Sequence, residues 1–118
     1  MSSELEDLIK KIQAFSDERD WDQFHTIKNL ILALVGEVGE LAEVVQWKTE
    51  SEIAASLKTT DGNNMLSEEI ADVAIYLLRL CQKADIDLIK VIDKKLIKNE
   101  LKYPIDKSRG TSKKYDEL

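Results

Sequence analysis

The sequence predicts an all-α fold: a four-helix bundle with a short extra helix and an irregular C-terminal tail. Glycine and proline are rare, with 4 and 1 among 118 residues, which favours helix over the turn-rich pattern of an all-β domain. Apolar residues recur at helical spacing in several segments, and capping residues stand before them. A chain of this length fits one domain, residues 1–118, with residues 105–118 as a basic tail.

Capping patterns place the helix starts. Ser3 with Glu6, and Thr49 with Glu52, have the spacing of a capping box, and Thr26 can cap the central helix. The predicted order is a helix over 3–16, a polar link over 17–23, a central helix over 26–48, a short helix over 49–58, a loop over 59–64, a third helix from 64 or 67 to 83, a fourth helix from 85 or 87 to 101, and the tail.

The third predicted helix is apolar around most of its circumference from Ile70 to Cys81. One chain of this size cannot cover such a helix, so we expect a homo-oligomer. The run is too short to cross a bilayer and contains Asp72 and Arg79, and the N-terminus has no signal pattern. Cys81 is the only cysteine, so no disulfide framework suggests secretion. We expect a cytoplasmic protein that does not associate with membranes.

The charge is unevenly distributed. The net charge is −6, yet residues 94–118 hold eight Lys or Arg against four acids. An acidic body with a basic end suits a small anion bridged through a metal better than a nucleic-acid backbone, which requires an extended basic face. The alternative is a solvated lysine-rich tail, because such runs usually lie on the surface.

Two short acidic strings are the strongest chemical signal. Glu37 and Glu40 in the central helix, and Glu69 and Asp72 in the third, are each three residues apart and so share a helix face. Two such helices packed face to face would bring four carboxylates together. Carboxylates are hard ligands that favour Mg²⁺, Mn²⁺ or Ca²⁺. The sequence therefore predicts a metal site.

An aromatic ring accompanies each acidic pair. Trp47 follows Glu40, and Tyr76 follows Glu69, by seven residues, which is about two helical turns on nearly the same face. Gly36 and Gly39 lie inside the central helix at a cost of about 1 kcal/mol each relative to alanine. Close approach by another helix, or by a ligand, would offset that cost.

The fourth predicted helix carries a polar face. Lys95, Asn99 and Lys102 stand at positions i, i+4 and i+7 and suit phosphate oxygens. Each of these features also has an ordinary structural explanation, since acids and lysines balance helix dipoles and aromatic side chains at helical spacing are usually core. The repetition of acids with a ring on two helices favours a functional site.

Other metal and phosphate sites are excluded or poorly supported. His25 is the only histidine, and a ferritin-like di-iron bundle needs a Glu-x-x-His on each of two helices. The chain has no Cys-x-x-Cys pair and no Gly-rich phosphate loop, so zinc sites and ordinary NTPases are poorly supported.

Taken together, these motifs resemble the MazG-type nucleoside triphosphate pyrophosphohydrolases, and most closely their all-α dCTP pyrophosphatase branch. The resemblance covers nearly the whole chain, and its matching segments are Glu18 to Trp21, Phe24-His25, Ala33 to Glu43, Gln46-Trp47-Lys48, Glu68 and Glu69 to Asp72, Tyr76, Asn99, Tyr103-Pro104, Ser108-Arg109 and Lys114-Tyr115.

The resemblance implies an all-α homodimer or homotetramer that binds Mg²⁺, with Mn²⁺ as an alternative, through Glu37, Glu40, Glu69 and Asp72. Water would attack the α-phosphorus of a deoxynucleoside triphosphate and release pyrophosphate. Glu43 or Glu68 would orient the water. The substrate would be held by Trp21, His25, Trp47 and Tyr76 and by Lys95, Asn99, Lys102, Arg109, Lys114 and Tyr115.

Base preference and two rival functions stay open at this stage. Vertebrate members of this branch carry a histidine at the position of Ile12, and an apolar side chain cannot donate to a base edge. dCTP, methylated dCTP and dATP therefore all stay candidates. The rivals are a non-catalytic helical scaffold without metal dependence and a related all-α hydrolase acting on dUTP or phosphoribosyl-ATP.

Overall fold

The structure, a computed structural model that describes residues 3–118, is all-α as predicted. These residues contain no strand. Four long helices and the short α3 match the predicted set. The helices are α1 (Glu4–Glu18), α2 (Ile27–Val45), α3 (Glu50–Leu57), α4 (Thr60–Lys83), α5 (Leu88–Lys102) and α6 (Ile105–Ser108), with 3₁₀ turns at Asp22–Phe24 and Tyr115–Glu117.

The predicted capping residues start the helices. The side chain of Ser3 accepts a hydrogen bond from the backbone N–H of Glu6 at 3.1 Å, and Thr26 caps α2 in the same way. Thr49 accepts from the Glu52 N–H at 3.2 Å and also donates to the Glu52 carboxylate at 3.1 Å. For α5 the cap is Asp87, one of the two residues that the sequence allowed.

The predicted loop at residues 59–64 is wrong, because α4 begins at Thr60. Thr59 is its N-cap and accepts from the Gly62 N–H at 3.0 Å. Gly62 lies so close to Ser56 at the end of α3 that a Cβ would collide with the Ser56 backbone carbonyl. This glycine is therefore a packing residue inside a helix, although its polar neighbours gave it the composition of a turn.

Three other boundaries differ from prediction. α1 continues two residues beyond Ser16, to Glu18, while α2 ends at Val45 rather than near Lys48. The tail is not wholly irregular, because α6 and the Tyr115–Glu117 turn lie within it. The α6 turn begins directly after Pro104, whose fixed φ suits the start of a helix.

Contacts divide the chain into two compact units, Met1–Asp85 and Ile86–Leu118. In the first unit α2 packs most extensively on α4, and α1 and α3 also pack on α4. Its buried apolar side chains are Ile12, Leu30, Leu78 and Cys81, and Cys81 forms no disulfide. The α2–α4 packing is what brings the two acidic pairs to the same place.

The glycines inside α2 have open space around them. A Cβ at Gly36 or Gly39 would meet no atom within 4 Å. Within residues 3–118, no other helix makes the predicted close approach to these glycines, and the approach of a ligand stays a prediction.

The second unit consists of α5, α6 and the final turn. Tyr103 and Tyr115 pack edge to face with ring centroids 6.2 Å apart, and the Lys102 ammonium lies 4.8 Å from the centre of the Tyr115 ring. That the whole chain forms a single domain stays a prediction. Within residues 3–118, no helix is both long enough and apolar enough to span a membrane.

Candidate active site

Three of the four predicted metal ligands form a tight acidic cluster. One carboxylate oxygen from each of Glu37, Glu40 and Glu69 lies within 4.8 Å of the others. Asp72 is not among these three but lines the same pocket as Glu37, and its charge acts on both Glu37 and Glu69. The sequence spacing thus placed both acidic pairs on the facing sides of α2 and α4.

The carboxyl groups of the cluster oppose each other's ionisation. Burial, hydrogen bonding with Glu40 and the surrounding negative charges raise the pKa of Glu37 from 4.5 to about 7. Burial and the charges of Glu40 and Asp72 likewise raise the pKa of Glu69. Near neutral pH the cluster therefore shares protons instead of carrying its full negative charge.

The donor set fits a divalent cation. The Oε2 atoms of Glu37 and Glu69 are buried without a hydrogen-bond partner in residues 3–118, which is costly unless a cation or water compensates. The available donors are carboxylate oxygens, the hard ligands that Mg²⁺ and Mn²⁺ prefer. The cluster could therefore bind a divalent metal ion.

A pocket of about 390 Å³ opens beside the cluster, between α1, α2, α4 and the two residues that flank the Asp22–Phe24 turn. Glu37 and Asp72 line its acidic side. Its remaining walls are mostly apolar or aromatic, as is usual for small-molecule sites, and are formed by Lys11, Ile12, Phe15, Ser16, Trp21, His25, Ile75, Tyr76 and Arg79.

The rings of the pocket pack against one another. Trp21 contacts Phe15 edge to face with centroids 5.6 Å apart, and His25 in the same manner at 6.4 Å. The guanidinium of Arg19 lies 3.7 Å above the Phe15 ring. Tyr76 enters from α4. These contacts form an aromatic surface on which a planar base could stack.

Trp21, His25 and Tyr76, three of the residues that the sequence assigned to the substrate, line this pocket, whereas Trp47 does not. Because α2 ends at Val45, Trp47 follows the helix instead of extending its face, and its side chain is 88% exposed. Glu43 and Glu68 are exposed beside the cluster, and Glu68 is close enough to affect the pKa of Glu69.

The predicted phosphate-binding residues belong to the second unit. Lys95 and Lys102 are exposed on α5, and Asn99 is half-buried between them. Lys102 and Tyr115 are in contact. Arg109 lies with Tyr103 at a separate surface pocket, and Lys114 precedes the final 3₁₀ turn.

The sequence patterns did not identify Arg79 and Phe15 as site residues. Arg79 is only 2% exposed and lines the pocket. The signal was present, because a charged residue inside the apolar run from Ile70 to Cys81 must find partners if it is buried. Gln82 is only three residues away, but the other two partners, His25 and Asp22, lie more than fifty residues away in sequence, so they could not be identified from spacing.

Comparison with known proteins places the chain in a family. The sequence model of the MazG-like family matches residues 33–118. The chain belongs to the MazG-like family. It is similar to dCTP pyrophosphatase 1 of Rattus norvegicus, with 44% identity, and of Homo sapiens, with 45%, each over 97% of this chain and 67% of the relative.

A solved structure is also similar. The crystal structure of a pyrophosphatase from Archaeoglobus fulgidus has 41% sequence identity and a TM-score of 0.80, covering 88% of this chain and 95% of the other. This agreement extends over most of the MazG-like chain and supports its all-α fold.

Proposed function

We propose that this chain is a Mg²⁺-dependent nucleoside triphosphate pyrophosphohydrolase that cleaves dCTP to dCMP and pyrophosphate. One observation carries the proposal: a single pocket joins acidic residues to aromatic rings. Glu37 and Asp72 line the same cavity as Trp21 and Tyr76. A nucleotide needs this combination, since its phosphates require a metal and its base requires a flat apolar surface.

The MazG-like relatives that share 44% and 45% of their aligned residues with this chain are named dCTP pyrophosphatase 1, which supports dCTP as the substrate. The scaffold alternative leaves unexplained why buried carboxylate oxygens of Glu37 and Glu69 have no partner. Base-modified dCTP belongs to the same proposal, because the rings that line the pocket offer stacking without distinguishing close pyrimidine variants.

The proposed metal ligands are Glu37, Glu40, Glu69 and Asp72. When bound, Mg²⁺ supplies positive charge that offsets the charge of the triphosphate and of its transition state. Mn²⁺ has the same ligand preference and is the alternative ion. Cation binding would displace the proton that Glu37 holds near neutral pH.

The chain's own groups would position water and base. Glu68 on α4 is exposed next to Glu69, and Glu43 follows Glu40 by about one turn of α2. This proximity to the cluster supports the proposal that one of the two carboxylates orients the attacking water. Trp21 and Tyr76 would stack on the base. Stacking fixes the substrate so that the α-phosphorus faces the acidic side of the pocket.

The basic second unit would bind the phosphates. We assign this role to Lys95, Asn99, Lys102, Arg109, Lys114 and Tyr115, the polar residues of α5 and the tail. Residues 94–118 carry twice as many basic as acidic side chains, which attracts a triphosphate. The proposed assembly is a cytoplasmic homodimer or homotetramer of single-domain subunits.

The test is a panel of nucleoside triphosphates that includes dCTP, 5-methyl-dCTP, dATP and dUTP, assayed with Mg²⁺ for pyrophosphate and for orthophosphate. We expect pyrophosphate from dCTP or its methylated form. Orthophosphate as the product, or no turnover of any nucleotide, would contradict the proposal.

Matched acid-to-amide variants test the metal site. Glu40→Gln and Asp72→Asn should abolish turnover while the metal-free protein keeps its stability or gains some, because each change removes a repelling charge. Glu50→Gln, an exposed acid of α3 outside the cluster, is the control and should retain activity. Normal Mg²⁺-dependent turnover in both cluster variants would rule out the four-carboxylate site.

A further inference from the structure

Arg79 is a buried, charged residue of α4 that lines the pocket. All three nitrogens of its guanidinium group donate hydrogen bonds. Its Nε donates to His25 Nδ1 at 2.9 Å, one terminal nitrogen donates to Gln82 Oε1 at 2.6 Å, and the other donates to Asp22 Oδ1 at 3.0 Å. The side chain thereby ties α4 to the Asp22–Phe24 turn that precedes α2.

The first of these bonds determines the form of the histidine. A guanidinium has donors and no acceptor, so the ring nitrogen that it contacts must be free of hydrogen. The neutral ring of His25 therefore carries its single hydrogen on Nε2. Burial and the positive charge of Arg79 lower the pKa of His25, as does Lys83 more weakly, whereas Asp22 raises it. These effects together favour the neutral ring.

His25 lies where its Nε2–H can reach a ligand in the pocket. It lines the pocket beside Trp21 and contacts the Trp21 ring. Across residues 3–118 no side chain or carbonyl accepts a hydrogen bond from its Nε2, and that atom is not among the buried atoms without a partner. The Nε2–H of His25 is therefore available to donate a hydrogen bond to a ligand that enters the pocket.

We propose that Arg79 is a positioning residue that holds His25 in its Nε2–H form, so that His25 donates a hydrogen bond to an acceptor on the bound base. The O2 carbonyl of a pyrimidine, or the unprotonated N3 of cytosine, has the required chemistry. This inference rests on the proposed function for the identity of the ligand, whereas the Arg79–His25 pair can be measured without any ligand.

The first experiment is nitrogen NMR of the wild-type protein at neutral pH. His25 is the only histidine, so the imidazole signals need no assignment by mutation. We expect one fixed tautomer with Nε2 protonated and Nδ1 bare. A ring protonated on Nδ1, or one exchanging freely between tautomers as in solution, would overturn the proposal whatever the enzyme assay shows.

Two variants test whether Arg79 is the cause. Arg79→Met keeps the length of the side chain and removes every donor, so the His25 tautomers should mix and the His25 pKa should rise. If that variant does not fold, Arg79→Lys keeps the charge but cannot reach all three partners at once, and the same mixing is expected. Lys83→Met is the matched control for the tautomer, because Lys83 bonds Asp22 at 2.6 Å and makes no hydrogen bond to the His25 ring. In this control the Nε2 of His25 should stay protonated, and the His25 pKa should rise less than in Arg79→Met, because Lys83 lowers that pKa more weakly than Arg79 does. An unchanged tautomer in the Arg79 variant would overturn the positioning role.

Kinetics then test the role toward the base. Loss of one hydrogen bond should raise KM for dCTP roughly three- to tenfold in Arg79→Met, with a smaller effect on kcat. The abasic deoxyribose triphosphate keeps the phosphates and lacks the base, so its KM should not change. A purely structural role for Arg79 predicts equal effects on both substrates. Absence of all turnover in wild type would contradict the proposed function and the donor role, and the NMR result would still decide the tautomer.

Discussion

At the scale of single residues, Glu37 is the group whose protonation connects stability with metal binding. Its folded-state pKa is about 7 against an ordinary value of 4.5, so the folded protein binds more protons than the unfolded chain between these pH values. The contribution of Glu37 to the free energy of unfolding is then complete below about pH 4.5 and is lost as the pH rises to about 7.

We therefore predict that the metal-free protein loses stability between pH 4.5 and 7 relative to Glu37→Gln. The comparison with the variant is needed because the lowered pKa of His25 acts in the opposite direction over part of this range. Denaturant unfolding of both proteins with chelator present, at several pH values, measures the difference. Parallel stability curves would show that Glu37 titrates normally.

Trp21 and Trp47 have different surroundings, which gives a second prediction at this scale. Trp21 lines the pocket, so Trp21→Ala should weaken dCTP binding roughly tenfold to a hundredfold through lost stacking. Trp47 is 88% exposed, so Trp47→Ala should leave the melting temperature unchanged.

The affinity of the Trp47 variant carries separate information. Trp47 lies outside the pocket of its own chain, so a large loss of dCTP affinity in Trp47→Ala would mean that the ring reaches the pocket of another subunit. Wild-type affinity in Trp21→Ala would contradict the base-stacking role of the pocket.

At the scale of helices, Gly62 explains why α3 and α4 join as they do. Thr59 caps α4 by accepting from the Gly62 N–H, and Ser56 lies so close to Gly62 that it leaves no space for a side chain. We predict that Gly62→Ala lowers the free energy of unfolding by about 1–3 kcal/mol, because one element must shift to admit the methyl group.

Gly36→Ala is the control for that measurement. It adds the same methyl group to a helix where no atom lies within 4 Å, so it should be neutral or stabilise by about 0.5–1 kcal/mol. Equal stability of Gly62→Ala and wild type would contradict the close contact. A loss of stability in Gly36→Ala would indicate that another surface packs against α2.

The sequence predicted those parts of the fold that depend on local interactions. Caps at Ser3, Thr26 and Thr49 follow from one side chain and a backbone N–H three residues later. The acidic pairs follow from helical spacing. The helical start at Thr60 could not be predicted, since its turn-like composition is overridden by packing against α3.

The candidate site was predictable to the same extent. The carboxylates could be placed because each pair shares a helix face, and the structure brings three of them together. The helical face that was extrapolated along α2 does not reach Trp47, because the helix ends two residues before it, and the contact of Trp47 with the base stays a prediction. The contacts of Arg79 with His25 and Asp22 depend on tertiary packing between distant segments, which periodicity does not encode.

At the scale of the whole molecule, the exposed apolar side chains of α2 and α4 favour association. Leu32, Val35 and Ile70 are each more than half exposed. We predict a homo-oligomer with an apolar interface of the size that obligate oligomers bury, roughly 2,000 Å² or more. Sedimentation at low micromolar concentration measures this, and a stable, active monomer would contradict it.

The most direct test of the central claim is hydrolysis of dCTP in ¹⁸O-labelled water with Mg²⁺, followed by mass spectrometry of the products. Attack of water on the α-phosphorus places one ¹⁸O in the phosphate of dCMP and leaves pyrophosphate unlabelled. We predict that result. Label in pyrophosphate would contradict attack on the α-phosphorus, and formation of dCDP with labelled orthophosphate would contradict the assignment of this chain as a nucleoside triphosphate pyrophosphohydrolase.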